Sequence, residues 1–126
     1  MSRSVLLGVF LLGGLGAVAR IWIGGAVQRA WGTSFPIGTV VVNILGCLLF
    51  GIVWALAEQR QLLSHETRFL ILSGFMGAFT TFSTFAFESH FLILEGRTAI
   101  AMANLVGQCG LGLLAIQLGI RLGRVF

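Results

Sequence analysis

Four apolar stretches, at about residues 5–27, 37–56, 69–94 and 99–120, take up most of this 126-residue chain. About 20 mostly apolar residues make a helix that crosses a bilayer, so each stretch is long enough to span. Short polar connections join them, which predicts a single four-helix transmembrane domain over residues 1–126. Only 10% of the residues are charged, against about 25% in an ordinary soluble domain. The chain reads as an all-α, multi-pass membrane protein. Arg3, the apolar run from Val5 and Ala17-Val18-Ala19 imitate a cleavable signal peptide. Apolar sequence resumes beyond Arg20, however, so the first stretch is expected to remain as a span.

The formal charge of +4 comes from arginine alone. The arginines stand singly near segment ends, as interfacial anchors and topology marks rather than a phosphate-binding patch. Nucleic acid is therefore not an expected partner. An even number of spans puts both termini and the Glu58–Arg68 connection on one side, with Arg3, Arg60, Arg68, Arg121 and Arg124. Arg29 and Arg97 mark the other side, with Arg20 toward the same end of the first span. The excess leans toward cytoplasmic termini and leaves dual insertion open. Cys47 and Cys109 lie within apolar stretches without metal-ligand spacing and read as small hydrophobes. His65 reads as a solvated loop histidine. No catalytic triad, paired carboxylates or nucleotide-binding loop is present, which argues against an enzyme.

The third stretch does not suit a plain spanning helix. Gly77-Ala78-Phe79-Thr80-Thr81-Phe82-Ser83-Thr84-Phe85 threads phenylalanines among four hydroxyl residues. Ser and Thr are mediocre helix formers and compete for local backbone groups. Backbone that leaves helical geometry in lipid strands polar groups, a loss tolerated only where protein, an ion or a water-lined cavity satisfies them. The stretch predicts a helix broken mid-membrane at residues 77–80, beside an ion site.

Other polar residues admit two roles each. Arg20 snorkels to the interface, or forms a cationic vestibule that gathers anions. Thr39 and Asn43 share a face of the second span, and Asn104 and Gln108 a face of the fourth. Each pair serves as interhelical glue or lines a pathway. Glu88 and His90 fall beyond the break, near the surface or in a water-filled mouth. Small residues predict packing surfaces: Gly13, Gly14, Gly16 and Ala17 in the first span, Ala99-Ala103-Gly107 and Ala115-Gly119-Gly123 in the fourth. Helices this thin leave little room for a pore within one chain, so a pathway between subunits of a two-fold dimer is expected.

The middle spans supply hydroxyls at Thr80, Thr81, Ser83 and Thr84, an amide at Asn43, and ring edges at Phe82 and Phe85. Hydroxyls and amides donate hydrogen bonds, and an aromatic edge is electropositive. Such a lining suits a small anion that exchanges its water shell for protein donors.

The run from Gly77 to Phe85, with Glu88 following, resembles the signature of the Fluc (CrcB-type) fluoride channels. Gly38-Thr39 leading to Asn43 resembles that family's second-helix motif, and Gly13 to Arg20 its first-helix pattern. The resemblance implies a fluoride-selective channel in the plasma (inner) membrane that lowers cytoplasmic fluoride passively. It implies an antiparallel, dual-topology homodimer with two pores at the subunit interface and no other protein partner. Phe82 and Phe85 would turn ring edges to fluoride, Asn43 would donate its amide, and Ser83 and Thr84 match pathway hydroxyls. The backbone carbonyls of Gly77 and Thr80 would hold a central structural sodium. Thr39, Asn104 and Gln108 match a polar track, and Arg20 and Glu88 a vestibule. The alternative is a small multidrug-type proton antiporter, which needs a deep carboxylate. The first span offers none, so Glu88 alone would have to serve.

Overall fold

The computed structural model describes residues 2–125, and these are helical almost throughout. Four helices are long and apolar enough to cross a membrane: Arg3–Trp31, Ile37–Glu58, His65–Leu94 and Thr98–Val125. Each runs past at least one of its expected ends, and in the first and third spans caps set the boundaries. Ser2 Oγ accepts from Val5 N at 3.3 Å, which starts the first span early. Gly32 ends it in the left-handed region at φ 59°, where a side chain would be strained. Ser64 Oγ accepts from Thr67 N, so His65 opens the third span instead of sitting in a loop. The Glu58–Arg68 connection thus shortens to residues 59–64. Glu58 and Arg68 form an ion pair across it, with the Arg68 guanidinium 5.2 Å from the Trp54 ring centre.

The third span is composite. An α-helical turn at His65–Phe69 passes into π-helical geometry over Leu70–Met76, where Gly77 N reaches back five residues to the Leu72 carbonyl. Gly77–Phe79 are helical again, Thr80 and Thr81 are extended, and Phe82–Leu94 resume the helix. The interruption therefore falls at Thr80 and Thr81, the end of the expected 77–80 stretch and one residue beyond it. Thr81 explains the shift: its Oγ1 accepts from Thr84 N at 3.3 Å, making it the N-cap of a new helix.

Packing follows the glycines. The second and fourth spans share the broadest interface, where Gly51 meets Gly119 backbone to backbone. A Cβ on Gly119 would collide with the Leu48 carbonyl and stand 3.1 Å from Gly51 Cα. Ala115, Gly119 and Gly123 are buried there, as the small-residue stripe predicts. The second stripe is different: Ala99 and Ala103 are exposed, and none of the described residues comes within 4 Å of a Cβ placed on Gly107. The upper part of the fourth span instead buries Ala101, Asn104 and Gln108, and the hydrogen bonds of the two amides lie inside the chain. The first span packs on the leading half of the third through Gly16, whose neighbours are the backbone of Phe75 and Phe79. Phe10, Trp22 and Leu113 point outward with most of their surface free, as residues facing lipid do. Arg124 Nε donates to Gln59 Oε1 at 2.6 Å, tying the end of the fourth span to the 59–64 connection.

Candidate functional site

At Thr80 and Thr81 the chain leaves the helix, and side chains from other spans take over its backbone bonds. Thr81 N donates to Asn43 Oδ1 at 2.8 Å, while Asn43 Nδ2 donates to the Thr81 carbonyl at 3.3 Å. Arg20 Nε donates to the Ala78 carbonyl at 3.1 Å. Of the two roles open to it, Arg20 does not snorkel outward; it reaches in to the break. Gly46 lies against Thr80 and the Phe79 ring, and only a residue without a side chain lets the second span come this near. The break leaves carbonyls without helical partners. The amide that would close Gly77's helical turn is Thr81 N, which is spent on Asn43. The Thr80 carbonyl takes no hydrogen bond among the described residues. Free carbonyl oxygens are the ligand type a hard cation takes, so Gly77 and Thr80 offer the donor chemistry of the sodium site that the resemblance implies.

Cavities border the break, and two of them share Thr81 in their lining. The first, of about 230 Å³, is lined by Asn43, Thr80, Thr81, Phe82, Phe85 and Gln108, with Cys47 and Cys109. The Phe82 and Phe85 ring centres are 5.8 Å apart and tilted by 59°. Phe85 is 5% exposed and Phe82 78% exposed, so one ring is fixed in the chain and the other stands free at the cavity mouth. Among the described residues no carboxylate lines this cavity. The second, of about 240 Å³, gathers Arg20, Gln28, Thr39, Thr84 and Glu88. Thr39 Oγ1 donates to Glu88 Oε1 at 2.8 Å, and Glu88 Oε2 is buried with no partner among the described residues. Thr81 lines both cavities, and its hydroxyl donates to Thr84 Oγ1 at 2.8 Å. Ser83 is exposed and lines neither; His90 is exposed as well.

Two residues differ from what the sequence suggests. An amide nitrogen carries two hydrogens, and Asn43 uses one on the Thr81 carbonyl and the other on Gln108 Oε1 at 2.9 Å. Asn43 therefore holds the break in place; it does not offer a free donor to an anion. Ser89 carries no mark in the sequence, yet it is 2% exposed and accepts from Asn104 Nδ2 at 2.9 Å. Its own hydroxyl donates to the Phe85 carbonyl at 2.8 Å. A serine four residues after Phe85 signals only such back-bonding, a habit common to helical serines.

The model of one protein family, described as CrcB-like protein, Camphor Resistance (CrcB), matches residues 7–120. Among curated relatives, a fluoride-specific ion channel FluC of Nitratidesulfovibrio vulgaris (strain Miyazaki F) is 50% identical over 125 residues, 99% of each chain. That of Nitrosococcus oceani is 49% identical over 117 residues, 93% of this chain and 94% of its own. That of Maridesulfovibrio salexigens is 51% identical over 113 residues, 90% of each.

Proposed function

This chain belongs to the CrcB-like family, a family of transport proteins and not enzymes, and we propose that it is a fluoride-selective channel. The observation that carries the reading is the first cavity. Helix-free backbone, two phenylalanine rings and amide side chains surround it, with no acid among the described residues to repel an anion. Fluoride gives up its hydration only where donors replace water, since an unpaired charge in a low-dielectric site is very costly. Electropositive ring edges and N–H groups supply that replacement.

In this proposal the channel is an antiparallel, dual-topology homodimer in the inner membrane. The single chain leaves Phe82 largely free, and a second copy closing over that ring would complete each of two pores. The arginine of the second cavity, Arg20, draws anions toward the break. Thr39, Thr84 and Glu88 continue the polar surface from there. The carbonyls of Gly77 and Thr80 would hold a structural sodium shared by the two subunits. Its charge would neutralise the carbonyl dipoles and favour anions nearby.

Passive efflux follows from acid–base chemistry. Fluoride crosses membranes as the neutral acid, loses its proton inside the cell, and leaves through the channel down its gradient. In sealed liposomes holding the purified protein, fluoride efflux is expected well above that of empty liposomes. Phe82→Ile and Phe85→Ile keep apolar bulk but remove the ring edge, and each is expected to slow efflux by about tenfold or more. Unchanged efflux in both variants would remove the rings from the pathway.

A further inference from the structure

Both cysteines of the chain line the first cavity, although nothing in the sequence pairs them. Cys47 comes from the second span and Cys109 from the fourth, and both thiols are free. The register between the two spans brings them to one level. Asn43 Nδ2 donates to Gln108 Oε1 at 2.9 Å, which sets these two residues side by side. One turn further along the second span, Cys47 Sγ stands 3.4 Å from where a Cβ on Gly112 would be. Cys109 lies in the turn of the fourth span between those two contacts. Cys47 is half-buried and Cys109 exposed, so one thiol is held in the wall and the other is accessible.

The rest of the lining narrows what such a pair binds. Among the described residues, no three His, Cys, Asp or Glu side chains come together to hold a metal ion, which leaves out a tetrahedral, zinc-type site. With no carboxylate among the described lining residues, the cavity side chains offer little to a hard divalent ion such as magnesium or calcium. Two thiolates alone satisfy a soft ion that takes two ligands in a line, as mercuric, silver and cuprous ions do.

We propose that Cys47 and Cys109 form a binding site for a two-coordinate soft metal ion, and that an ion held there closes the first cavity to fluoride. Each thiol gives up its proton and forms one metal–sulfur bond, so a mercuric ion releases two protons as it binds. A cysteine side chain turns about a single bond to meet the ion, and Gly112 puts no side chain in the way of Cys47. The effect on flux rests on the reading of this cavity as a fluoride pathway. Such a pathway is open to water, which admits the metal, and an ion bridging two of its walls stands in the way of fluoride.

The test uses the purified protein, in detergent for binding and in liposomes for flux, with mercuric chloride as the probe. Ultraviolet absorption of the mercury–thiolate bonds is expected to saturate at one mercuric ion per chain. Methylmercury, which takes a single thiolate, is expected to saturate at two. This comparison needs no variant to fold. In liposomes mercuric ion is expected to stop most fluoride efflux, and excess dithiothreitol to restore it. Cys47→Ser and Cys109→Ser keep the volume but remove the soft donor, and each is read against its own metal-free efflux. Each is expected to need about a hundredfold more mercuric ion for the same block, the scale of a second ligand held close by the first. Two mercuric ions per chain, or single variants as sensitive as the parent, would mean thiols that act separately and would overturn the inference. One bound ion with fluoride efflux unchanged would overturn it too. A parent that carries no fluoride but binds one mercuric ion across both thiols contradicts the functional reading and supports the metal site, so the two fail separately.

Discussion

Asn43→Leu is expected to abolish fluoride efflux and destabilise the fold. The side chain makes three hydrogen bonds, to Thr81 N, to the Thr81 carbonyl and to Gln108 Oε1. Leucine fills a similar volume but supplies none of them. Thr81 N cannot return to helical bonding, because Thr80 and Thr81 are extended and Thr81 caps the following helix. A part-buried amide and two oxygens lose their partners, at about 1–3 kcal/mol each. The sum, on the order of several kcal/mol, is a large share of the stability of a small domain. Thermal unfolding in detergent and efflux in liposomes check the two halves of the prediction. Asn43→Asp is the informative companion: it keeps the acceptor for Thr81 N but has no hydrogens for Gln108. It is expected to retain the fold better than leucine does and still to lose efflux.

The second large effect concerns packing alone. Gly119→Val drives two methyl groups into the backbone of the second span, where a Cβ by itself already meets the Leu48 carbonyl, Ile52 N and Gly51 Cα. Backbone cannot rotate aside as a side-chain tip can, so the two helices must part along their whole contact. Overpacking ordinarily costs about 1–3 kcal/mol; here separation also opens the glycine contacts at Gly51 and Gly123 and loosens Gln108 on the same helix. Little folded protein is expected after extraction. The control is Gly14→Ala in the first span, where nothing lies within 4 Å of the added carbon. That variant is expected to fold normally, and a loss as severe as that of Gly119→Val would contradict the packing account.

Much of this architecture is legible in the residues themselves. Apolar length defines the four spans, and the hydroxyl-rich run after Gly77 marks where the third one is interrupted. The position of the interruption depends on a competition that composition does not show. Gly77 looks like the breaker, but glycine alone does not end a helix whose neighbours hold it. Thr81, three residues before Thr84, can cap a new helix, and that pairing decides where helical bonding stops. The π-helical stretch Leu70–Met76 has no sequence mark, since one slipped hydrogen-bond register leaves the apolar pattern unchanged. Arg20 and Ala78 are 58 residues apart, so their contact exists only after the first and third spans have packed. Ser89 is invisible for a similar reason: a single serine becomes a network member only when Asn104 is placed opposite it. The stripe Ala99-Ala103-Gly107 has the spacing of a packing face and yet stays largely uncovered by the described residues, because the helix turns its amides inward at this level. In the dimer proposed for this protein, such an uncovered face is available to the second subunit.

Selectivity tests the account most directly, because a donor-lined and ring-edged cavity at a helix interruption must discriminate by size and hydration and not merely by charge. Liposomes containing the purified protein are loaded with equal fluoride and chloride, and efflux of each ion is followed with its own electrode. The account predicts rapid fluoride efflux with chloride efflux no faster than from empty liposomes. Chloride leaving as fast as fluoride, or neither ion leaving, would contradict it.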